Sequence, residues 1–189
     1  MAETLTDMLG AAFVALAQGA AQPGSPWRHV SLGTVTADGQ PRIRTLVLRA
    51  FDAGALTLDL HTDRRSAKAD ELGANPRAAL HAWNSATGEQ VRLEGSVTLY
   101  AGDSVAQGAW DSLRPASQNT YRAMPGPGCI VADPGEARQT LDDKEAFAVF
   151  VVLRFSIKQL EYLLIRESVH RRARFTWEAG VPAPMWLAP

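Results

Sequence analysis

RIRTLVLRAF (residues 42–51), ALTLDLHTDRRSAKADELGANPRAALHAW (55–83) and GEQVRLEG (88–95) decide the fold of this chain. Strand-like runs surround one short helix, and the polar residues gather at the junctions. Leu56, Leu58 and Leu60 alternate as one face of a strand does. At His61-Thr62-Asp63-Arg64-Arg65-Ser66-Ala67-Lys68 that strand ends and a helix opens. Hydroxyls and cations at a helix N-terminus suit a phosphate, because free N–H groups and the helix dipole both favour an anion there.

Working outward, Asp52-Ala53-Gly54 turns the chain between a strand at Pro41–Phe51 and one at Ala55–His61. Val30–Thr36 reads as the strand before, joined through Ala37–Gln40, where Asp38-Gly39 suits positive φ. The helix at about Arg65–Leu72 stops at Gly73, with Asn75-Pro76 behind it. Arg77–Trp83 and Glu89–Tyr100 follow as strands. Asp103 caps a helix to about Leu113. Residues 114–143 read as irregular, save a short helix around 134–142, and a segment that long serves a site or an interface. Phe147–Phe155 reads as a central strand, with Gln159–Ile165 and His170–Trp177 as a closing pair. Residues 3–20 read as an amphipathic helix, with Thr4 or Thr6 near its start and Leu5, Met8, Leu9, Phe13 and Leu16 as its buried stripe. Strands joined by short turns, with a few outlying helices, predict a mostly β (α+β) chain: an antiparallel barrel with peripheral helices, one domain over 1–189.

Composition narrows the function. A net charge of −1 argues against a general nucleic-acid binder. Cys129 is the single cysteine, which excludes an intrachain disulfide and a Cys-rich zinc site and fits a reduced, cytoplasmic setting. Leu9–Ala21 is apolar enough to resemble an export signal core. Glu3 and Asp7 precede it without a Lys or Arg, and it is too short to span a bilayer, so no membrane association is expected. The four histidines show no metal-ligand spacing.

The ordered pieces Arg44-Thr45-Leu46-Val47-Leu48-Arg49, Thr62-x-x-x-Ser66-x-Lys68, Glu71-Leu72-x-x-Asn75-Pro76, Trp83, Gln90-Val91-Arg92-Leu93-Glu94-Gly95 and Arg174-Phe175 resemble the pyridoxamine 5′-phosphate oxidase-related FMN-binding split barrels. The resemblance runs from about residue 28 to 177 and implies an FMN-binding split β-barrel that works as a homodimer with FMN at the interface. It implies that Arg44 and Lys68, with Thr62 and Ser66, hold the FMN phosphate, and that Thr45, Leu46, Val47, Arg49, His61, Gln90 and Arg174 complete the cofactor site. It further implies that Arg49, Trp110, Arg114, Ser117, His170 and Arg172 face a small-molecule substrate, in this family a phosphorylated one.

The chain departs from the family pattern at Ala67, where a basic residue is common; Arg64 or Arg65 would substitute from the loop. Trp110 replaces a tyrosine, Arg49 a lysine, Ser117 comes one residue early, and His170 and Arg172 reverse the usual order. Arg44 and Arg49 lie five residues apart, so a flat strand points them to opposite faces; a bulge, a strand end or contributions to different ligands would reconcile them, and the resemblance favours the last. Gln90, Arg92 and Glu94 share one strand face, with Arg92 and Glu94 read as an exposed pair of little energetic weight. Trp83 either flanks the site or is buried in the core. His170, Arg172 and Arg174 alternate onto one face as a ligand-facing basic row. The function the resemblance implies is an FMN-dependent oxidoreductase with hydride transfer at the flavin. A nicotinamide-dependent flavin reductase, a non-catalytic flavin-binding sensor and a split barrel without flavin are the alternatives.

Overall fold

The computed structural model describes residues 4–167 and 169–189. Helix α1 spans Leu5–Ala21, and Thr4, not Thr6, is its N-cap: the Thr4 hydroxyl accepts from the Asp7 N–H while Asp7 reaches back to the Thr4 N–H. Such a reciprocal cap contributes about 1 kcal/mol. Met8, Ala12, Ala15, Leu16 and Gly19 form the fully buried stripe, with Leu5, Leu9 and Phe13 at its margin.

Strands β1 (His29–Val35), β2 (Pro41–Asp52) and β3 (Thr57–Asp63) form an antiparallel meander. In the β1–β2 turn only Gly39 takes positive φ, at +88°, so Asp38 does not share the left-handed backbone. Helix α2 (Ala67–Ala74) follows β3, then β4 (Arg77–Asn84) and β5 (Glu89–Tyr100). Helix α3 (Ser104–Asp111), capped by Asp103 as expected, precedes a single turn α4 (Pro115–Gln118).

The region expected to be irregular holds more order than its Pro and Gly content indicates. It carries two 3-10 turns, at Asn119–Tyr121 and Pro134–Glu136, and a small ribbon of β6 (Ala123–Met124) with β7 (Arg138–Gln139). Helix α5 (Asp143–Val149) takes the first residues of the expected 147–155 strand. The reason is local: Asp142 and Glu145 form a capping box that starts a helix, and the apolar run reads as strand only from Phe150.

Strand β8 (Phe150–Leu164) merges two expected strands into one. One of its edges pairs with β5 along its length, while the other pairs with β3 over residues 150–156 and with β9 (Arg171–Glu178) over 159–164. Lys158 is the extra residue at the changeover, because Glu94 faces Gln159 and Gly95 faces Ile157. The strand order β8-β3-β2-β1-β4-β5, closed by β5 on β8, is a six-strand antiparallel barrel. The sheet continues past β8 into β9 and β10 (Val181–Leu187). β10 lies beyond the expected strands; its Pro182 and Pro184 are tolerated because β10 is an edge.

Leu32, Leu48, Leu58, Leu60, Leu80, Leu93, Leu153 and Phe155 are fully buried in the main core, each contributing about 2 kcal/mol of burial. A satellite core of Trp110, Tyr121, Phe147 and Phe150 lies between α3, α5 and β8. No helix among the described residues is long and apolar enough to cross a membrane.

Candidate functional site

The β3–α2 junction brings the expected phosphate groups together. Thr62 is the penultimate residue of β3 and Ser66 the N-cap of α2, and their hydroxyl oxygens lie 3.2 Å apart. Lys68, one residue into the helix, donates from Nζ to Thr62 Oγ1 at 3.1 Å. The Ser66 hydroxyl donates to the Asp63 carbonyl at 2.6 Å, so no side chain caps the N–H groups of α2. Lys68 makes no ion pair within 4 Å among the described residues. Burial and then the neighbouring Arg44 hold its ammonium below the usual lysine range. Arg44 is braced from the other side: Nη2 lies 2.7 Å from Glu71 Oε2, and Nη1 donates to the Thr34 hydroxyl. Desolvation pushes the Glu71 carboxyl up, but hydrogen bonds from Thr34 and Arg44 outweigh it and leave the pKa lowered.

Arg49 is the extra residue of a bulge in β2, where Leu48 faces Leu60 but Ala50 faces Asp59. The bulge, one of the three options the five-residue spacing left open and not the one the resemblance favoured, re-aims a side chain as bulges do. Arg49 lines a cavity of about 510 Å³ together with Arg28, His61, Asp59, Arg154 and the Gly108–Ala109 side of α3. Asp59 is already taken, gripped by Arg154 through two bonds of 2.8 Å. Arg49 Nε and His61 Nδ1 are both buried without a hydrogen-bond partner. Burial first, then Arg49, pushes the His61 pKa down to about 4, so the imidazole is neutral at pH 7. Thr45, Leu46 and Val47 lie opposite Ser31, Val30 and His29 in the β1–β2 ladder.

Gln90 and Arg174 belong to a different face. Gln90 Oε1 lies 3.1 Å from His81 Nε2. Arg172 and Arg174 both donate to Glu161, and Arg92 approaches the same carboxylate at 3.5 Å. Arg92 is therefore not the exposed partner of Glu94 that the sequence indicated: β8 sets Glu161 directly opposite it. His170 precedes β9, and its Nδ1 accepts from the Arg166 N–H at 3.3 Å. Trp83 is 39% exposed, which rules out the buried-core reading. Trp110 is buried in the aromatic satellite core, Arg114 is exposed and Ser117 half-buried, and none of the three lines the Arg49 cavity. Arg65 is committed to Asp63 and to the Ala123 carbonyl, which leaves exposed Arg64 as the loop cation open to solvent.

Glu161, Arg28, Asp59 and Arg154 were not singled out from sequence. One signal for Glu161 was present: a carboxylate in the apolar strand Leu160–Leu164 must find cations. Naming them required the strand register.

A six-strand antiparallel barrel whose β3–α2 junction presents an unpaired ammonium, two hydroxyls and uncapped helix N–H groups defines a split-barrel protein suited to a phosphorylated cofactor. Residues 11–101 match the family described as pyridoxamine 5′-phosphate oxidase, FMN-binding domain. A pyridoxine/pyridoxamine 5′-phosphate oxidase of Xanthomonas euvesicatoria is 34% identical over 140 residues, covering 72% of this chain and 62% of that protein. One from Bordetella avium is 43% identical over 84 residues, covering 44% of this chain and 39% of that protein. The matches thus span less than two thirds of those relatives' length. The crystal structure of a pyridoxamine 5′-phosphate oxidase-related, FMN-binding protein from Nostoc punctiforme superposes over 100% of both chains, with a TM-score of 0.80 and 27% identity. PhzG from Burkholderia lata, solved with tetrahydrophenazine-1-carboxylic acid, shares the fold at a TM-score of 0.73 and 20% identity over 98% of this chain and 90% of its own. The chain belongs to the pyridoxamine 5′-phosphate oxidase-related FMN-binding split barrels, and FMN is the cofactor of that family.

The residues present fit that group. A half-buried ammonium without a carboxylate partner suits a phosphate dianion, and the buried, unpartnered Arg49 Nε and His61 Nδ1 suit polar atoms of a ligand.

Proposed function

We propose that this chain is an FMN-dependent oxidoreductase acting on a small, anionic molecule, and that it works as a homodimer with FMN between the subunits. The observation that carries the reading is the Lys68–Thr62–Ser66 cluster at the open start of α2. When bound there, FMN supplies the two-electron acceptor. Lys68 and the uncapped N–H groups hold the phosphate charge, and the two hydroxyls fix its orientation. Arg49, freed from the ladder by its bulge, holds an anionic group of the substrate. Neutral His61 beside it serves as a hydrogen-bonding group and not as a second cation. Support for the dimer comes from the separation of parts: among the described residues, Arg172 and Arg174 share no hydrogen bond or ion pair with the Lys68 cluster. Two copies would bring both sets to one flavin. Ile43, 74% exposed beside a groove of about 1010 Å³ on the outer barrel face, offers apolar surface for such a contact.

The test is purification followed by a visible spectrum and assay. A yellow protein that releases FMN on denaturation and consumes oxygen with pyridoxamine 5′-phosphate or a related phosphorylated amine supports the reading. Bleaching by NADH or NADPH without amine turnover would move the activity to flavin reduction. Tight FMN with no turnover of either kind would overturn the enzymatic reading and leave a flavin-binding protein.

A further inference from the structure

Glu161, on β8, is 5% exposed and stands among three arginines on the two strands that flank it. Arg92 on β5 and Arg174 on β9 are its direct cross-strand neighbours, one on each side. Its two oxygens divide the work. Oε1 accepts from Arg174 Nε at 2.9 Å and Nη2 at 2.8 Å. Oε2 accepts from Arg172 Nε at 3.1 Å and from its Nη2, with Arg92 Nη1 at 3.5 Å. Both Arg172 and Arg174 present the same Nε–Nη2 edge to the carboxylate, which fixes the plane of each guanidinium and leaves Nη1 of each unengaged by it.

Charge makes the arrangement incomplete. Three guanidiniums on one carboxylate leave a surplus of two positive charges, and all three arginine side chains reach solvent, at 46%, 26% and 35% exposure for Arg92, Arg172 and Arg174. A second anion or an electron-rich acceptor is the group that such a surplus accepts. Desolvation pushes the Glu161 carboxyl up, but hydrogen bonds from Arg172 and Arg174 outweigh it, leaving the pKa lowered and the carboxylate ionised at neutral pH.

We propose that Glu161 is a positioning residue of the flavin site: one carboxylate fixes the guanidinium planes of Arg172 and Arg174, holding both cations in place for the bound flavin. The proposal rests on the flavin reading above.

The test is a double-mutant cycle on FMN binding to the apoprotein, read by quenching of flavin fluorescence, with far-ultraviolet circular dichroism reporting the fold. Glu161→Gln keeps the shape and removes the charge. It is expected to weaken FMN binding about tenfold, the loss of one charge-assisted hydrogen-bonded pair. In an Arg174→Gln background the same change is expected to alter affinity less than about twofold, because the route through Arg174 is already cut. An equal loss in both backgrounds, or an affinity within twofold of wild type for Glu161→Gln alone, overturns the proposal. If Glu161→Gln does not fold, Arg174→Lys keeps both charges and removes the fork; unchanged FMN affinity in that variant overturns the proposal equally. Wild-type apoprotein that takes up no FMN would instead overturn the flavin reading itself, and the proposal with it.

Discussion

Arg65 clasps Asp63 across the β3–α2 junction, with Nε 2.9 Å from Oδ1, while its Nη1 reaches the Ala123 carbonyl at 3.0 Å. One side chain therefore ties the junction that opens the candidate flavin site to the 122–141 segment. The pairing also separates two arginines adjacent in sequence. Arg65 is structural, and Arg64, exposed, is the one available to a ligand.

Arg65→Ala leaves Asp63, a buried carboxylate, without its main partner. Removing one member of such a pair is expected to lower stability by about 3 kcal/mol. Arg64→Ala touches no such pair and is expected to change stability by less than about 0.5 kcal/mol. Its effect should appear in the ligand, as a two- to fivefold weaker FMN affinity, roughly that of an exposed ion pair. Urea melts of both variants beside FMN titrations check the assignment; a large stability loss in Arg64→Ala would reverse it.

His61 gives acid sensitivity a defined window. Its folded pKa is about 4 against an ordinary value of 6.5, so the folded state favours the neutral ring. The stabilisation this provides is complete above pH 6.5 and is lost as pH falls toward 4, because the unfolded chain takes up the proton first. The loss amounts to about 3 kcal/mol at pH 4. Glu71 and Glu161, with lowered pKa values, lose their contributions as pH falls through those values, so total acid sensitivity is not specific to His61. The difference between wild type and His61→Gln isolates it. Urea melts from pH 7 to 4 should show the variant losing less stability than wild type across that range; parallel curves would show that His61 takes up its proton normally in the folded protein.

How far the sequence led can be judged from β2. The strand at Pro41–Phe51 was legible because strand period is a local property, whereas Arg44 and Arg49 five residues apart left a bulge as one of three options and did not decide for it. The partners were not legible: Arg92 falls on Glu161 and not on Glu94, and that pairing depends on the register of strands seventy residues apart in the chain. The merging of 150–164 into one strand was hidden for a similar reason. Lys158 and Gln159 interrupt the apolar run as a turn would, whereas the structure uses Lys158 as a bulge where the strand changes neighbours. At the site, Thr62, Ser66 and Lys68 were readable because one turn of chain holds them. Glu161 was not, because its role arises from three strands.

Lys68 should show opposite effects with and without ligand. In the apoprotein its ammonium is held below the ordinary lysine range by burial and by Arg44, so Lys68→Met removes an unfavourable charge. Apoprotein stability is expected to stay the same or rise. FMN binding is expected to fall by about 2 kcal/mol, roughly thirtyfold, as one charge-assisted hydrogen bond to the phosphate is lost. Thermal melts of the apoprotein and FMN titrations at two salt concentrations would test this. A variant that binds riboflavin and FMN with the same relative preference as wild type would show that Lys68 does not contact the phosphate.

Gly95, the last residue of the Gln90–Gly95 motif, is required by the barrel and not by the ligand. A Cβ built there would stand 2.0 Å from the Ser156 carbonyl oxygen and 2.8 Å from Phe155 Cε1. It sits where β5 crosses the Lys158 bulge of β8, so the two backbones approach too closely for any side chain. Phe155 is fully buried in the main core and cannot swing aside without opening a cavity. Gly95→Ala must therefore move the β5–β8 pairing that closes the barrel, and a loss of more than about 3 kcal/mol is expected, in the range of severe core strain. Glu94→Ala, one residue earlier, is the control: Glu94 is exposed, and its loss is expected to change stability by less than about 0.5 kcal/mol. Melting curves of the two variants decide the matter. A Gly95→Ala protein as stable as Glu94→Ala would mean that the barrel closes without the tight crossing, and that the glycine serves the ligand instead.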